Sequence, residues 1–181
     1  MSIVYGERLR LRRAERDDVK KYHEWVNDPD VTEGLMLFLP MSVEDEERWY
    51  QNTLSRDIQE RPFSIEVHSG DDWRLIGNCS FFGIEREARC GEIGIMIGDK
   101  SMWNQGLGAE AMTLLLGIGF ETLNLNRVFL RVYSNNLRAV RAYEKAGFIF
   151  EGTMRQAVYK KGAYQDVHIM SVLRSEWDKR K

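Results

Sequence analysis

The 181-residue chain predicts a single α+β domain with a mixed, mostly antiparallel sheet and helices on both faces. Three observations carry that expectation. β-Branched and alternating runs pair up in the first half around Ser69-Gly70-Asp71-Asp72, a hairpin turn by composition. One strand–helix–strand unit follows, from Glu92–Ile97 through a long apolar helix to Arg127–Ser134, and such a crossover lays its strands parallel. A last hairpin, near Phe150–Tyr159 and Tyr164–Leu173, turns at Lys161-Gly162. Hairpins, one crossover and a closing hairpin do not make a doubly wound sheet.

Taken in order, Glu7–Arg13 alternates Leu9 and Leu11 with charges and reads as a first strand and candidate sheet edge. Asp17–Asn27 reads as a helix with Val19, Tyr22, His23 and Val26 on one face and Pro29 beyond its end. Thr32–Met41 is irregular and apolar; Gly34–Pro40 is expected in the core, with one or two residues reaching a pocket. Ser42-Val43-Glu44-Asp45 resembles a capping box with Asp in the place of Glu, and opens a helix to about Ser55. Phe63–His68 and Arg74–Phe82 are the first hairpin; Gly83–Cys90 is a charged connector. Glu110–Glu121 continues a helix whose Leu107, Ala111, Leu114, Leu115 and Ile118 recur at helical spacing, so it lies buried against a sheet. Leu137–Ala146 is a helix ended by Gly147 in the left-handed conformation.

Composition narrows the function classes. Apolar content of 43% and charged content of 30% are those of a globular protein, and the span 1–181 is one domain by length. A net charge of −2 gives no reason to expect nucleic acid. Met1–Arg13 is charged, unlike a signal peptide, and the apolar run Leu35–Leu39 is too short to span a bilayer. Cys79 and Cys90 make neither a disulfide framework nor a metal spacing, so a reducing, cytoplasmic setting is expected, with no metal. A homodimer stays open.

The chain is organised around Trp103-Asn104-Gln105-Gly106-Leu107-Gly108-Ala109, which leads from strand to helix. The first backbone N–H groups of a helix have no partner within it. Beside them Gly106 and Gly108 offer no side chain, so an anion can approach closely. An ordinary glycine loop before a core helix is the alternative. No Gly-Lys-Ser/Thr ending exists for a Walker loop. Gly106-Leu107-Gly108-Ala109-Glu110-Ala111 matches the dinucleotide fingerprint formally. Gly98–Gln105 separate it from its strand, however, and Arg127–Tyr133 supplies no ribose-binding acid.

A second stretch selects among these readings. Asn136, Ala139, Tyr143, Gly147 and Phe148 fit Asn-x-x-Ala-x-x-x-Tyr-x-x-x-Gly-Phe, and Gly106-Leu107-Gly108 fits Arg/Gln-x-x-Gly-x-Gly/Ala with Trp103 at its first place. In both, over about residues 7–175, the chain resembles the GNAT superfamily of acyl-CoA-dependent N-acetyltransferases, in particular the ribosomal-protein N-terminal acetyltransferases and their polyamine-acetylating relatives.

The resemblance implies that the parallel strands splay and admit the pantetheine arm of acetyl-CoA, bound by backbone at Ile95, Met96 and Ile97. It implies a pyrophosphate on Asn104, Gln105, Gly106, Leu107, Gly108 and Ala109, with Asn136 and Arg138 as further cofactor contacts. Asn136 could equally only cap its helix, and Arg138 be a surface charge. Tyr143 is the candidate acid for the leaving thiolate, or packs on Phe148. Glu92 is the candidate base through water, or a solvated strand end; His168 is an alternative. The acids Glu24, Asp28, Asp30, Glu33, Glu44, Asp45, Glu46 and Glu47, with no Lys or Arg among residues 22–47, could form a lip for a cationic amine. Glu33 and Glu92 are its candidate substrate contacts; helix N-terminal and solvated roles are the alternative.

No Cys sits beside the cradle, so direct transfer in a ternary complex is expected. The expected acceptor is a peptide or protein N-terminal amine, then a polyamine, then an amino sugar or aminoglycoside. A silent acyl-CoA-binding module is the reading from another class.

Overall fold

The computed structural model describes residues 3–180. The expected domain, 1–181, also takes in positions 1, 2 and 181, which lie outside the described residues. The strands are β1 (Ile3–Tyr5), β2 (Leu9–Arg13), β3 (Phe63–Ser69), β4 (Asp72–Glu85), β5 (Cys90–Ile97), β6 (Arg127–Tyr133), β7 (Ile149–Lys160) and β8 (Ala163–Leu173). They form an eight-stranded sheet in the order β1-β2-β3-β4-β5-β6-β8-β7. Only β5 and β6 run parallel among the paired neighbours. The helices are α1 (Val19–Val26), α2 (Pro29–Thr32), α3 (Val43–Leu54), α4 (Leu107–Gly117), α5 (Leu137–Ala146) and the short α6 (Arg174–Trp177). The α+β class with a mixed, mostly antiparallel sheet is the one the hairpins and single crossover called for.

The parallel ladder is short. It pairs Cys90 with Arg127, Gly91 with Val128 and Glu92 with Phe129, and stops. Beyond it β5 stays paired to β4 as far as Ile97, and β6 stays paired to β8 as far as Tyr133. The two strands therefore part, and the facing edge of β5 from Ile93 to Ile97 has no strand beside it.

Helices cover both faces. Leu107, Ala111, Leu115 and Ile118 of α4 and Ala146 of α5 join Ile65, Phe81, Ile93 and Leu130 of the sheet in the main core. Removing such a side chain from water is worth about 1.5–3 kcal/mol. Successive strand residues point to opposite faces. Met96 accordingly leaves that core and joins Tyr22, Trp25, Val26 and Val31 in a second cluster under α1. The Ser42–Asp45 capping box starts α3 as expected, with both reciprocal hydrogen bonds formed. The last turn of the long helix widens into a π-turn over Ile118–Thr122.

Three expectations need correction. The edge on this side of the sheet is β1, not the strand carrying Leu9 and Leu11, which lies between β1 and β3. Its alternating charges do not face water. Arg10 and Arg12 both bind Glu66, and Arg12 also grips Asp18, beneath α1. Burial alone would raise the pKa of Asp18, but hydrogen bonds from Arg12, the Glu15 amide and Ser64 outweigh it and hold the group ionised. Second, α1 turns Trp25 inward beside Tyr22 and leaves His23 half-buried against the Met41 carbonyl. Third, Gly34–Pro40 is not all core. Leu35 and Leu37 pack on the second cluster, but Phe38 and Leu39 are 57% and 79% exposed. The backbone after Leu35 joins no ladder; Asn27 holds Met41 at both its N–H and its carbonyl instead.

Gly98 ends β5 against Trp25, where an added Cβ would lie 2.0 Å from Cδ2 of the ring. Gly98→Ala should destabilise the fold by about 1–3 kcal/mol, as overpacking does. Gly152, in the bulged edge strand β7, has nothing within 4 Å of its Cβ position. Gly152→Ala should shift stability by no more than about 0.5 kcal/mol. Urea unfolding of both variants checks the pair, and equal losses would refute the contact.

Candidate active site

Where β5 and β6 part, a cavity of about 350 Å³ opens. One wall is the free edge of β5, at Ile95, Met96 and Ile97. The floor is the loop and first turn of α4, at Asn104, Gly106, Leu107, Gly108 and Ala109. The opposite wall is α5, at Asn136, Arg138, Ala139, Arg141, Ala142, Tyr143 and Lys145. Val31, Gly34 and Leu35 close one end.

The loop is shaped for an anion. Asn104 and Gly106 both take the left-handed conformation, at φ 61° and 80°. Such alternation turns successive N–H groups into one concavity. Gly106 is the N-cap of α4 and no side chain caps it, so the first helical N–H groups, on residues that line the cavity, are left without a side-chain partner. A Cβ at Gly108 would meet only Ile97 Cγ1, at 4.0 Å, so the space there is open to a ligand. Gln105 is turned away: its side chain donates to the Ser101 carbonyl. Its own carbonyl accepts from Arg8 Nη1 at 2.8 Å, and Arg8 is locked in turn by two hydrogen bonds to Glu110.

The α5 wall is cationic. Arg138, Arg141 and Lys145 recur at helical spacing and share the cavity face. The Arg138 guanidinium lies 3.5 Å above the Trp103 ring, and Trp103 Nε1 donates to Ile97 O at 2.7 Å. No carboxylate pairs with Arg138 among the described residues, and burial lowers its pKa. A cation held on an aromatic shelf without a counter-ion is suited to a phosphate. Asn136 caps α5 through the Ala139 N–H, and its amide stands where a Cβ on Gly34 would be, 2.3 Å away.

Tyr143 is placed compatibly with both roles considered for it. Its ring meets Phe148 edge-on at 6.0 Å, beside the Gly147 cap at φ 93°. It also lines the cavity, and burial pushes its pKa up to about 12.

Other expected residues lie elsewhere. Glu92 is not brought to the cavity: it marks the last rung of the parallel ladder, and Arg131 binds both its carboxylate oxygens, at 2.8 and 3.1 Å. His168 sits on β8 against Thr153 and Phe150. Glu33 pairs with Lys161, Asp28 and Asp30 with Lys100, Glu24 with Lys21 and Glu47 with Arg16. Glu33, Asp28, Asp30 and Glu47 therefore meet cations from distant parts of the chain, whereas Glu24 and Asp45 pair three residues away, with Lys21 and Arg48. Glu46 is buried beside α1, and that burial raises its pKa. Sequence reasoning missed Arg8, Trp103 as a shelf, and the Arg141–Lys145 part of the basic stripe. The stripe had a signal, basic residues three and four apart on a short helix; Arg8, 97 residues from Gln105, had none.

The cavity makes a direct demand on Gly108. A branched side chain there would project into the open space, with Ile97 Cγ1 as the nearest protein atom to its Cβ. Gly108→Val should keep the wild-type melting temperature within about 2 °C, since surface-like changes stay near neutral. It should weaken acetyl-CoA binding by at least about tenfold, roughly 1.4 kcal/mol. Calorimetric titration decides, and unchanged affinity would take the loop out of the site.

Comparison with known proteins bears on this geometry. Residues 8–149 match the family model described as an acetyltransferase (GNAT) domain. An uncharacterized N-acetyltransferase of Bacillus licheniformis, p20, is 33% identical over 98% of this chain and 99% of its own. A spermidine N(1)-acetyltransferase of Vibrio cholerae is 30% identical over 95% of this chain and 96% of its own. A crystal structure of spermidine N-acetyltransferase from Vibrio cholerae, with CoA and spermine, superposes with a TM-score of 0.86 at 28% identity, covering 95% of this chain and 99% of that one. The glycine cradle, basic wall and parted strands are those of an enzyme whose co-substrate is acetyl-CoA, and the chain belongs to the acetyltransferase (GNAT) family.

Proposed function

We propose that this N-acetyltransferase acts on a small aliphatic polyamine. The observation that carries the reading is the near full-length likeness to spermidine acetyltransferases in both sequence and fold. It favours the second acceptor class expected from the residues over a peptide N-terminus. The charge pattern around α2 supports it. Glu33 is countered by Lys161, and Asp28 and Asp30 by Lys100, in exposed pairs. Exposed pairs of this kind are weak and screened, so a polycation can take the place of a lysine.

The residues divide the work. Gly106, Gly108 and the first N–H groups of α4 hold the pyrophosphate, and Arg138, Arg141 and Lys145 meet the remaining phosphate charge. The free edge of β5 receives the pantetheine amides as an added strand. The donor supplies an acyl carbonyl already activated as a thioester. Tyr143 keeps its proton across the working range, because burial raises its pKa. It therefore stands ready to donate a hydrogen bond where charge develops on the leaving sulfur. Its raised pKa makes complete transfer to a thiolate of pKa about 8.5 uphill. The hydroxyl stabilises departure, and the proton shed by the amine completes it. Among the described residues lining the cavity there is no Asp, Glu or His. We route the amine proton through water to the leaving sulfur, and Glu92, held by Arg131, is not assigned as base.

Initial rates of CoA release with spermidine, spermine, kanamycin and peptides of varied N-terminal residue test the acceptor class. The polyamines should show the highest kcat/KM, and a peptide turned over better than any polyamine would return the reading to the N-terminal amine. For the acid, Tyr143→Phe keeps the ring on Phe148, so the melting temperature should hardly move. Its kcat should fall about 10²–10⁴-fold, with a modest change in acetyl-CoA affinity. A loss below about threefold, far under that range, would leave Tyr143 with packing alone.

A further inference from the structure

The tip of the β7–β8 hairpin reaches across to α2. There Lys160 sends its ammonium into a cage of main-chain oxygens. Nζ donates to Thr32 O at 2.7 Å and Leu35 O at 2.5 Å, with Glu33 O at 3.4 Å. Two rings flank it, Tyr133 at 5.2 Å and Phe38 at 6.0 Å from their centroids. Carbonyl oxygens plus aromatic faces are the surroundings a desolvated alkylammonium requires. No carboxylate binds Lys160 among the described residues; the nearby Glu33 is taken by Lys161.

Two observations say that the cage is more than a brace. The Tyr133 hydroxyl is buried and has no hydrogen-bond partner. Such a group costs stability unless something pairs with it. Tyr133 borders a void of about 30 Å³ shared with Glu33, Asn135, Lys160, Lys161 and Gln165, room for one water molecule or one ammonium head. The cage also shares its wall with the donor cavity: Leu35, whose carbonyl holds Lys160, and its neighbour Gly34 both line that cavity.

We propose that this cage is a primary-ammonium subsite of the acceptor, taking the far ammonium of a di- or polyamine, and that Lys160 is a tethered occupant which the acceptor displaces. The assignment rests on the polyamine reading above. The unpaired Tyr133 hydroxyl and the adjoining void take a further N–H of the acceptor's ammonium. Displacement frees Lys160 to solvent at the end of β7, so the resident cation competes with substrate without blocking the donor.

Lys160→Ala removes the propylammonium portion of the side chain and leaves the cage empty. Thermal melts are run with n-propylammonium chloride and, at equal ionic strength, tetramethylammonium chloride, which has no N–H. Propylammonium should raise the melting temperature of the variant and not of the wild type, and tetramethylammonium should raise neither. Equal responses to the two salts would overturn the cage as an ammonium site. The KM for spermidine should fall about three- to tenfold in the variant, as when a competent state populated at roughly a third to a tenth becomes the only state. The KM for propylamine as acceptor should stay the same. An unchanged or raised spermidine KM would make Lys160 a clamp and overturn the subsite. Lys160→Met, which keeps the aliphatic stem, gives the same kinetic readout should the alanine variant fold poorly. If the wild type acetylates no polyamine, the acceptor reading fails and takes the subsite with it; the propylammonium melts still report separately whether the cage binds an alkylammonium.

Discussion

The parting of β5 and β6 after Glu92 is the constraint on which the remaining arrangement depends. A strand edge in a sheet interior is costly, because each unpaired amide and carbonyl must find another partner. Here the edge is kept open between Ile93 and Ile97 by pairing on the far sides, β4 holding β5 and β8 holding β6. The bidentate Glu92–Arg131 pair stands at the fork. Everything that lines the cavity is placed by reference to that gap: α4 starts below it, α5 flanks it, and α2 closes its end.

The site is held from outside by contacts between segments far apart in the chain. Arg8, just ahead of β2, fixes Gln105 O and Glu110, and so sets the entry into α4. Trp103 ties the end of β5 to α5, with its indole N–H on Ile97 and its face under Arg138. At Gly34 the α2 segment comes close enough to Asn136 that no side chain fits between them. The C-terminal segment contributes too, because Arg180 donates to the carbonyls of Ala146 and Gly147 and completes the cap that orients Tyr143. Preorganisation of this kind is where binding energy for a transition state comes from, since the groups do not have to move when charge develops.

Much of this was legible in the chain. Periodicity located α3, α5 and the β3–β4, β5–β6 and β7–β8 pairs to within a few residues, because each has a local signature: a cap, a turn or a helical stripe. That the cradle glycines and Tyr143 come together at one cavity was legible from two short stretches that each carry their own backbone signature. What failed to show was pairwise and distant. β1 is too short to alternate. The strand of Leu9 and Leu11 read as a candidate edge because Glu66 and Asp18, which pair with its arginines, lie far off in sequence or on another element. The acids of residues 22–47 looked free because Lys100 and Lys161 answer them from other elements. Composition reports the charge of a segment and says nothing of its counter-ions.

The donor slot, described above as an open strand edge, is built from main chain. Its hydrogen-bonding groups persist whichever side chains β5 carries, so mutation cannot readily erase them. The proposed acceptor end differs: Lys160 and Phe38, which close on the ring of carbonyls, are side chains of the β7–β8 hairpin and of the segment after α2, short stretches outside the main core. Such a division lets a lineage trade one amine for another through a few exposed replacements while the acyl-handling half stays untouched. A fold partitioned in this way is predisposed to radiate into enzymes that share a reagent and differ in what they modify.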